Sequence, residues 1–508
     1  MARFAARWFL LIFPAFFASS ALAQTAARHA KPASNRAATH TSPVAPLPQQ
    51  LFGAIPLSTK SEAARKSLEL AWDKYENAMY EPAANLARQA MQKDPQSALS
   101  YALVSFAARR GMPDAAALAK AKTLLSRATP DEQLLVRWMT AIQDHNVLPA
   151  IASMNDLLKR YPRDKHVLYL TGEWLFLQQD DDRARTLLET ALQVDPNFPA
   201  ALNRLGYLYL DSSNPDPIKA VASLKRYAEV EPSSPNPQDS LGEVLREAGD
   251  DQGSVEHYHA ALQIDPAYIS SHYGLGNTRT LMGDFQSARQ DYDRAITMAK
   301  NPLDELYVKY LRALVYFWEG QPTEGRKELA TLAKEAADKK EPNSHFQIGM
   351  GQAMLAADAQ SELEQLKSLS VFLDKPLAGM NESDRGIARA AVLRERVRVL
   401  VLQGQSSEVA PAISALEALA TASRDQVIGS YFESARGYLA AAKGDFENAA
   451  EGLEADPHSP LALQQLAAVQ EKLGNAAAAQ DARTGLRYHR SSEAEWFLAT
   501  HNCTAASN

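Results

Sequence analysis

The sequence predicts an all-α chain built as a solenoid, and three observations predict it. Apolar residues recur at steps of three and four from about Lys60 onward, as in Leu68, Ala71, Trp72 and Tyr75, the period of one helix face. Helix starts are marked, as in Thr129-Pro130-Asp131-Glu132, where Thr caps, Pro fits the first turn and Glu stands three residues past the cap. Small residues return at a fixed spacing: Gly172, Gly206, Gly242 and Gly276 stand 34, 36 and 34 apart. Nowhere do apolar and polar residues alternate over strand length with hairpin turns between.

The elements follow in chain order. Arg3 and Arg7 precede an apolar run from Trp8 to Ala18, and Ala21-Leu22-Ala23 then offers a small-x-small cleavage pattern. The run has 11 residues with Pro14 inside it, well short of the roughly 20 that a membrane span needs. Residues 1–23 are therefore expected to be a signal peptide, cut near Ala23, with the mature chain periplasmic or secreted. No cysteine follows the run to carry a lipid, and no later stretch is apolar enough to span a bilayer. Residues 24–58 are expected to be a disordered Pro/Ala-rich linker. Pro32, Pro43, Pro46 and Pro48 lie among Ala, Ser and Thr, too little apolar surface to offset the entropy of ordering.

The repeat then takes over. Ala191, Tyr227, Ala261 and Ala295 stand 36, 34 and 34 apart, and Asp195-Pro196, Glu231-Pro232 and Asp265-Pro266 close the units at the same steps. The unit Leu275-Gly276, Gly283-Asp284-Phe285, Ala288, Tyr292, Ala295 closely resembles the tetratricopeptide repeat (TPR) family. With the export signal, the chain resembles an exported bacterial member. The resemblance implies a right-handed superhelix of about ten antiparallel helix pairs. It covers 59–380, best at 165–302, and continues as TPR-like helical repeats at 381–490 before a C-terminal tail at 491–508. Gly206 and Gly276 are expected where a neighbouring helix approaches closely. Gly249-Asp250 and Gly283-Asp284 are expected in tight turns, where Gly tolerates positive φ.

Composition removes several classes of function. Formal charge is −7 over 508 residues, the wrong sign for a nucleic-acid binder. One cysteine, Cys503, excludes an internal disulfide framework. His257 and His259 lie two apart on a predicted helix and point to different faces, so they do not chelate together. Asp180-Asp181-Asp182 sits in an inter-helix turn without the spaced ligands of a calcium loop. Arg394, Arg396 and Arg398, with Glu395, are expected to form a solvated helix face. No nucleophile elbow, phosphate loop or His-Glu-x-x-His pair is present. No catalytic residue, metal or cofactor is therefore expected, and the protein is read as a non-enzyme.

What remains is a surface. The resemblance implies that the first helix of each pair lines a concave groove, and residues three before, one after and four after the small residue share one face. That stripe reads Tyr169, Glu173, Phe176, then Asn203 and Tyr207. It continues with Asp239, Glu243, Arg246 and then Tyr273, Asn277, Thr280. The Lys/Asn/Arg set with which some family members clamp a C-terminal carboxylate is missing. Aromatic faces beside carboxylates suit a neutral-to-basic partner segment. The expectation is a protein–protein interaction scaffold of the bacterial envelope that binds a protein or peptide in this groove. The alternatives are an accessory subunit of an envelope assembly, secretion or glycan-handling system, and an enzyme with a site near 343–384.

Overall fold

The computed structural model describes residues 55–108, 114–144, 146–211 and 215–501. The expected signal peptide at 1–23, most of the expected linker and Cys503 lie outside them. Among the described residues the chain forms twenty-five α-helices and one short 3₁₀ turn, Leu125–Arg127; the isolated bridge between Leu377 and Met380 is the only β-type pairing. The fold is an all-α repeat superhelix.

Consecutive helices pack as hairpins. The first three pairs are α1 (Glu62–Glu76) with α2 (Tyr80–Lys93), α3 (Ala98–Phe106) with α4 (Ala115–Leu124), and α5 (Pro130–Gln143) with α6 (Val147–Arg160). The central four are α7 (Lys165–Leu177) with α8 (Asp181–Val194), α9 (Pro199–Asp211) with α10 (Pro217–Val230), α11 (Asn236–Ala248) with α12 (Asp251–Ile264), and α13 (Ile269–Met282) with α14 (Phe285–Met298). Longer helices follow in α15 (Pro302–Trp318) with α16 (Pro322–Asp338) and α17 (Pro342–Met354) with α18 (Ala359–Leu373). The C-terminal region holds α19 (Glu382–Leu402) with α20 (Ser406–Ser423), α21 (Gln426–Ala442) with α22 (Phe446–Glu454), and α23 (Pro460–Lys472) with α24 (Ala476–Arg487). A single helix, α25 (Ala494–His501), ends the described chain. That makes twelve pairs and a closing helix where the spacing suggested about ten pairs.

Local chemistry explains the hairpins. The Thr129 hydroxyl accepts from the Glu132 amide at 3.2 Å, the N-cap read from sequence. Gly283 adopts φ +79° at the end of α13, and the Asp284 carboxylate then accepts from the Ser287 amide to start α14. The small residues set the spacing of the helices. A Cβ on Gly276 would stand 2.6 Å from the Tyr292 ring, so this glycine lets the tyrosine of α14 lie flat on α13. Gly206 faces Leu224 in the same way, and Gly242 faces Tyr258. First helices touch one another along the array, α9 on α11, α11 on α13 and α13 on α15, and so form the inner layer.

Two ends of the array depart from expectation. Residues 55–58, expected as linker, are docked on α5: Ile55 is buried, the Ser58 amide donates to Glu132 at 2.6 Å, and the Thr129 hydroxyl donates to the Pro56 carbonyl. Ile55 finds apolar cover, and the turn into α5 supplies polar partners for the backbone. At the other end, residues 491–501 are not a tail. They fold back along the inner layer and finish as α25, packed on α17 and α23. The C-terminal repeats also reach the central array through the α7–α8 turn. There the Ser430 hydroxyl donates to Gln179 at 2.8 Å, and His458 lies 3.1 Å from Asp181.

The expected solvated face on α19 is corrected as well. Arg394 and Glu395 are buried, and Arg398 is nearly so. Arg394 pairs with Asp456 at 2.7 Å and approaches Glu495, while Arg398 bonds Glu395 and Glu362. Of the three arginines, Arg396 is the outward one, paired with Glu408. Packing of α19 against carboxylates far along the chain turns an apparently solvent-facing charge run into an internal network.

Candidate inner-face binding surface

The sequence-derived stripe lies on the inner layer, and its residues fall into two clusters. In the first, Glu173 of α7 takes a forked ion pair from Arg204 of α9, with Arg204 Nη2 to Oε1 at 2.7 Å. The guanidinium sits 4.6 Å from the centre of the Phe176 ring, so one arginine satisfies both charge and ring face. Tyr169 is buried edge-on to Phe198 and donates to the Glu76 carbonyl at 3.2 Å, tying α7 to the first pair.

The second cluster spans α9 to α13. The Tyr207 hydroxyl lies 2.9 Å from Ser240 and 3.1 Å from Glu243, and Ser240 in turn donates to Asn203 at 3.1 Å. Arg246 is buried between Glu243 and Glu247, at 3.5 and 3.3 Å. Asp239 is buried and accepts from the Ser271 hydroxyl at 2.6 Å. Burial pushes its carboxyl up to about 8, aided by neighbouring Glu243; Ser271 and Arg246 only partly counteract it. The Asp239 carboxyl is therefore mostly protonated at neutral pH. Tyr273 packs edge-on against Tyr307 of α15 with centroids 5.5 Å apart, and the Thr280 hydroxyl turns back to the Gly276 carbonyl. Asn277 accepts from Tyr292 at 2.7 Å. The charge that the sequence displays in the groove is thus largely engaged within the protein, by Arg204 and Arg246 and by protonation of Asp239.

The second cluster is covered by the chain itself. Tyr488 packs against the apolar cluster built by α9, α10 and α11. Arg490 then forks onto Asp251, with Nη2 to Oδ2 at 2.7 Å, and donates to the Arg246 carbonyl at 3.1 Å. The Ser492 hydroxyl meets Asn277 at 3.0 Å, and the Trp318 indole donates to the Ser492 carbonyl at 2.8 Å. Trp496 stacks on Trp318 at 5.8 Å, and Phe497 meets the same ring edge-on. From residue 490 to 497 the segment meets the inner helices of three successive pairs, α11, α13 and α15. Sequence reasoning missed Arg204, Ser240, Ser271 and this whole segment. The available signal was Trp496-Phe497-Leu498, an apolar cluster out of place in a solvated tail.

The stretch 343–384, considered as an enzymatic site, is the hairpin α17–α18, a turn and the start of α19. Among the described residues no group of three or more His, Cys, Asp or Glu side chains is placed to hold a metal ion. Among them also, no helix is long and apolar enough to cross a membrane.

The structure is thus a helical-repeat array whose inner face holds an irregular segment of the same chain. Family models then specify the repeat. A model described as tetratricopeptide repeat matches residues 166–197, another of that description matches 269–302, and a TPR repeat model matches 242–283. The chain carries tetratricopeptide repeats at these residues, and such repeats are scaffolds for protein–protein interaction. It is 26% identical over 178 residues to a probable UDP-N-acetylglucosamine–peptide N-acetylglucosaminyltransferase, SPINDLY, of Hordeum vulgare, covering 32% of this chain and 19% of that one. It is 27% identical over 136 residues to superkiller protein 3 of Saccharomyces cerevisiae, covering 26% of this chain and 9% of that one. The chain thus spans less than a fifth of the length of these relatives. Among solved structures it is similar to MamA, at 22% identity over 34% of this chain and 93% of that one, with a TM-score of 0.28. A tetratricopeptide repeat protein from Parabacteroides merdae matches at 16% identity over 54% and 93%, with a TM-score of 0.33. PilW, a type IV pilus biogenesis factor, matches at 19% identity over 42% and 94%, with a TM-score of 0.32.

Proposed function

We propose that the protein is a non-enzymatic scaffold of the bacterial cell envelope that holds a segment of a partner protein on its inner face. Residues 1–23 direct its export and are removed, and the following residues tether the solenoid. The partner segment lies across Tyr207, Asp239, Glu243, Arg246, Tyr273 and Asn277, with Tyr169, Glu173, Phe176, Asn203 and Thr280 shaping the surface around them. A single observation carries this reading: the inner helices α11, α13 and α15 already accommodate residues 490–497 of the chain, through an arginine and a hydroxyl on its non-helical part and an aromatic pair at the start of α25. A partner that is neutral to basic and carries an arginine suits Asp251 and the α11 carboxyl end.

The test combines position and compartment. A photo-crosslinking amino acid at Tyr207 or Tyr273 in native cells is expected to trap a second envelope protein, whereas one at the outward Ile218, 81% exposed, is not. The mature chain is expected to begin at Gln24 in the periplasmic or secreted fraction. Adducts confined to Ile218 would move the interaction to the outer face. An N-terminus retaining Arg3 in the cytoplasm would remove the envelope assignment.

A further inference from the structure

Residues 488–495 have the wrong chemistry for a core. His489, Ser491, Ser492, Glu493 and Glu495 are all under 4% exposed, a run of polar residues where a repeat array ordinarily places Leu, Ala or Tyr. Residues 490–493 are also not helical. Irregular backbone is normally at the surface, because burial removes the water its amides and carbonyls would use. Here the groove takes the place of water: Trp318 donates to the Ser492 carbonyl, Asn277 meets the Ser492 hydroxyl, and Asp251 receives Arg490. Pairing is incomplete. Glu493 Oε2 and Glu495 Oε2, both fully buried, have no hydrogen-bond partner among the described residues. The segment's polar contacts with the inner helices are thus a few single hydrogen bonds and one ion pair. They exchange readily for water or for another segment, because a hydrogen bond gained on docking replaces one lost to solvent.

We propose that residues 488–501 are a cis-acting plug that occupies the partner site and must be displaced before a partner segment enters. This rests on the inner-face reading above and adds to it both a regulatory step and the partner's chemistry. The plug states what the groove accepts. An arginine meets Asp251, a small hydroxyl side chain two residues later meets Asn277, and an aromatic pair four and five residues beyond that meets Trp318. A partner with the same three features competes residue for residue. The plug has the advantage of attachment, since a short tether gives it an effective concentration on the order of millimolar. The groove therefore stays closed until a competitor of matching chemistry is concentrated nearby.

A fluorescent synthetic peptide covering Tyr488 to His501 tests this directly on the full chain. Arg490→Ala with Trp496→Ala weakens the plug while leaving the groove residues intact. This variant is expected to bind the peptide at least about tenfold more tightly than the unaltered chain, by the loss of a charge-assisted pair and a ring stack from the competing segment. Adding Asp251→Asn is expected to reverse the gain. Equal binding by variant and unaltered chain, with helix content preserved, overturns the plug. A second measurement needs no substitution. Under native conditions the amides of 490–498 are expected to exchange with solvent faster than those of α13, through local release of the segment. Exchange of both at one common rate would make the segment an integral part of the fold and end the proposal. Neither readout involves the natural partner, so crosslinking at Tyr207 can succeed or fail independently.

Discussion

The central repeats and the closing segment are held by opposite means. Between α7 and α14 the spacing of the helices is set chiefly by sequence neighbours and by apolar packing: Gly206 against Leu224, Gly276 against Tyr292, and Ala184, Ala261 and Ala295 fully buried between helices. The closing segment is polar and joins residues more than 200 positions apart, as Arg490 does with Asp251 and Ser492 with Asn277. Local apolar packing can be repeated indefinitely, since each new pair needs only the one before it. A polar contact across such a distance gains nothing until the array on both sides is in place. The first kind of contact builds the superhelix, and the second decides whether its inner face is open.

Substitutions separate the two kinds of contact. The largest effect is expected from Arg394→Ala, which strands Asp456 and Glu495 as buried carboxylates without their cation. A cost of about 3–5 kcal/mol is expected. Denaturant unfolding followed by hydrogen exchange should show the loss concentrated in α19–α25 while α7–α14 keep their protection; uniform loss would mean that the halves unfold as one. Gly276→Leu comes next, at about 1–3 kcal/mol from overpacking against Tyr292, and it should lower protection in the central array instead. A variant as stable as its parent would show that α13 and α14 can separate without penalty.

A graded effect is expected from pH. Asp239 is raised in the folded protein to about 8, so its neutral form favours folding. That contribution is complete below the unfolded carboxylate value of about 4, declines as pH rises, and is gone once pH passes the folded value. The denaturation midpoint should therefore fall from pH 5 to pH 8.5, by at most about 1.4 kcal/mol per pH unit for this one carboxyl. Asp239→Asn should flatten the slope. An unchanged slope in that variant would assign the dependence to other groups.

The same division explains what could be read from the sequence. Spacing located Gly172, Gly206, Gly242 and Gly276 because a close helix approach demands a small residue at every unit, and that demand is local. The stripe from Tyr207 to Asn277 lies on the inner layer for the same reason, being fixed by helical period alone. Arg204 was passed over because its role depends on Glu173 and Phe176 in the preceding repeat, not on its own position in the period. Arg394, Glu395 and Arg398 look like a solvated face because their partners, Glu362, Asp456 and Glu495, follow no period that links them to α19. Residues 491–495 lack any apolar period and so resemble a tail. Only three-dimensional closure buries them.

Closure also changes what an end means for this molecule. An open stack of repeats has two half-covered ends, each touched by neighbours on one side only, and these ordinarily fray first or require a specialised terminal unit. Here the last described helix does not cap the stack from outside. It lies within it, against α17 and α23, with its tryptophan on Trp318. The opening pair is anchored as well, through Glu76, which meets His166 at 2.9 Å and Tyr169 through its carbonyl. Each extremity thus uses an interior repeat as its lid. Fraying at either one disturbs the middle of the molecule first, where the inner surface lies.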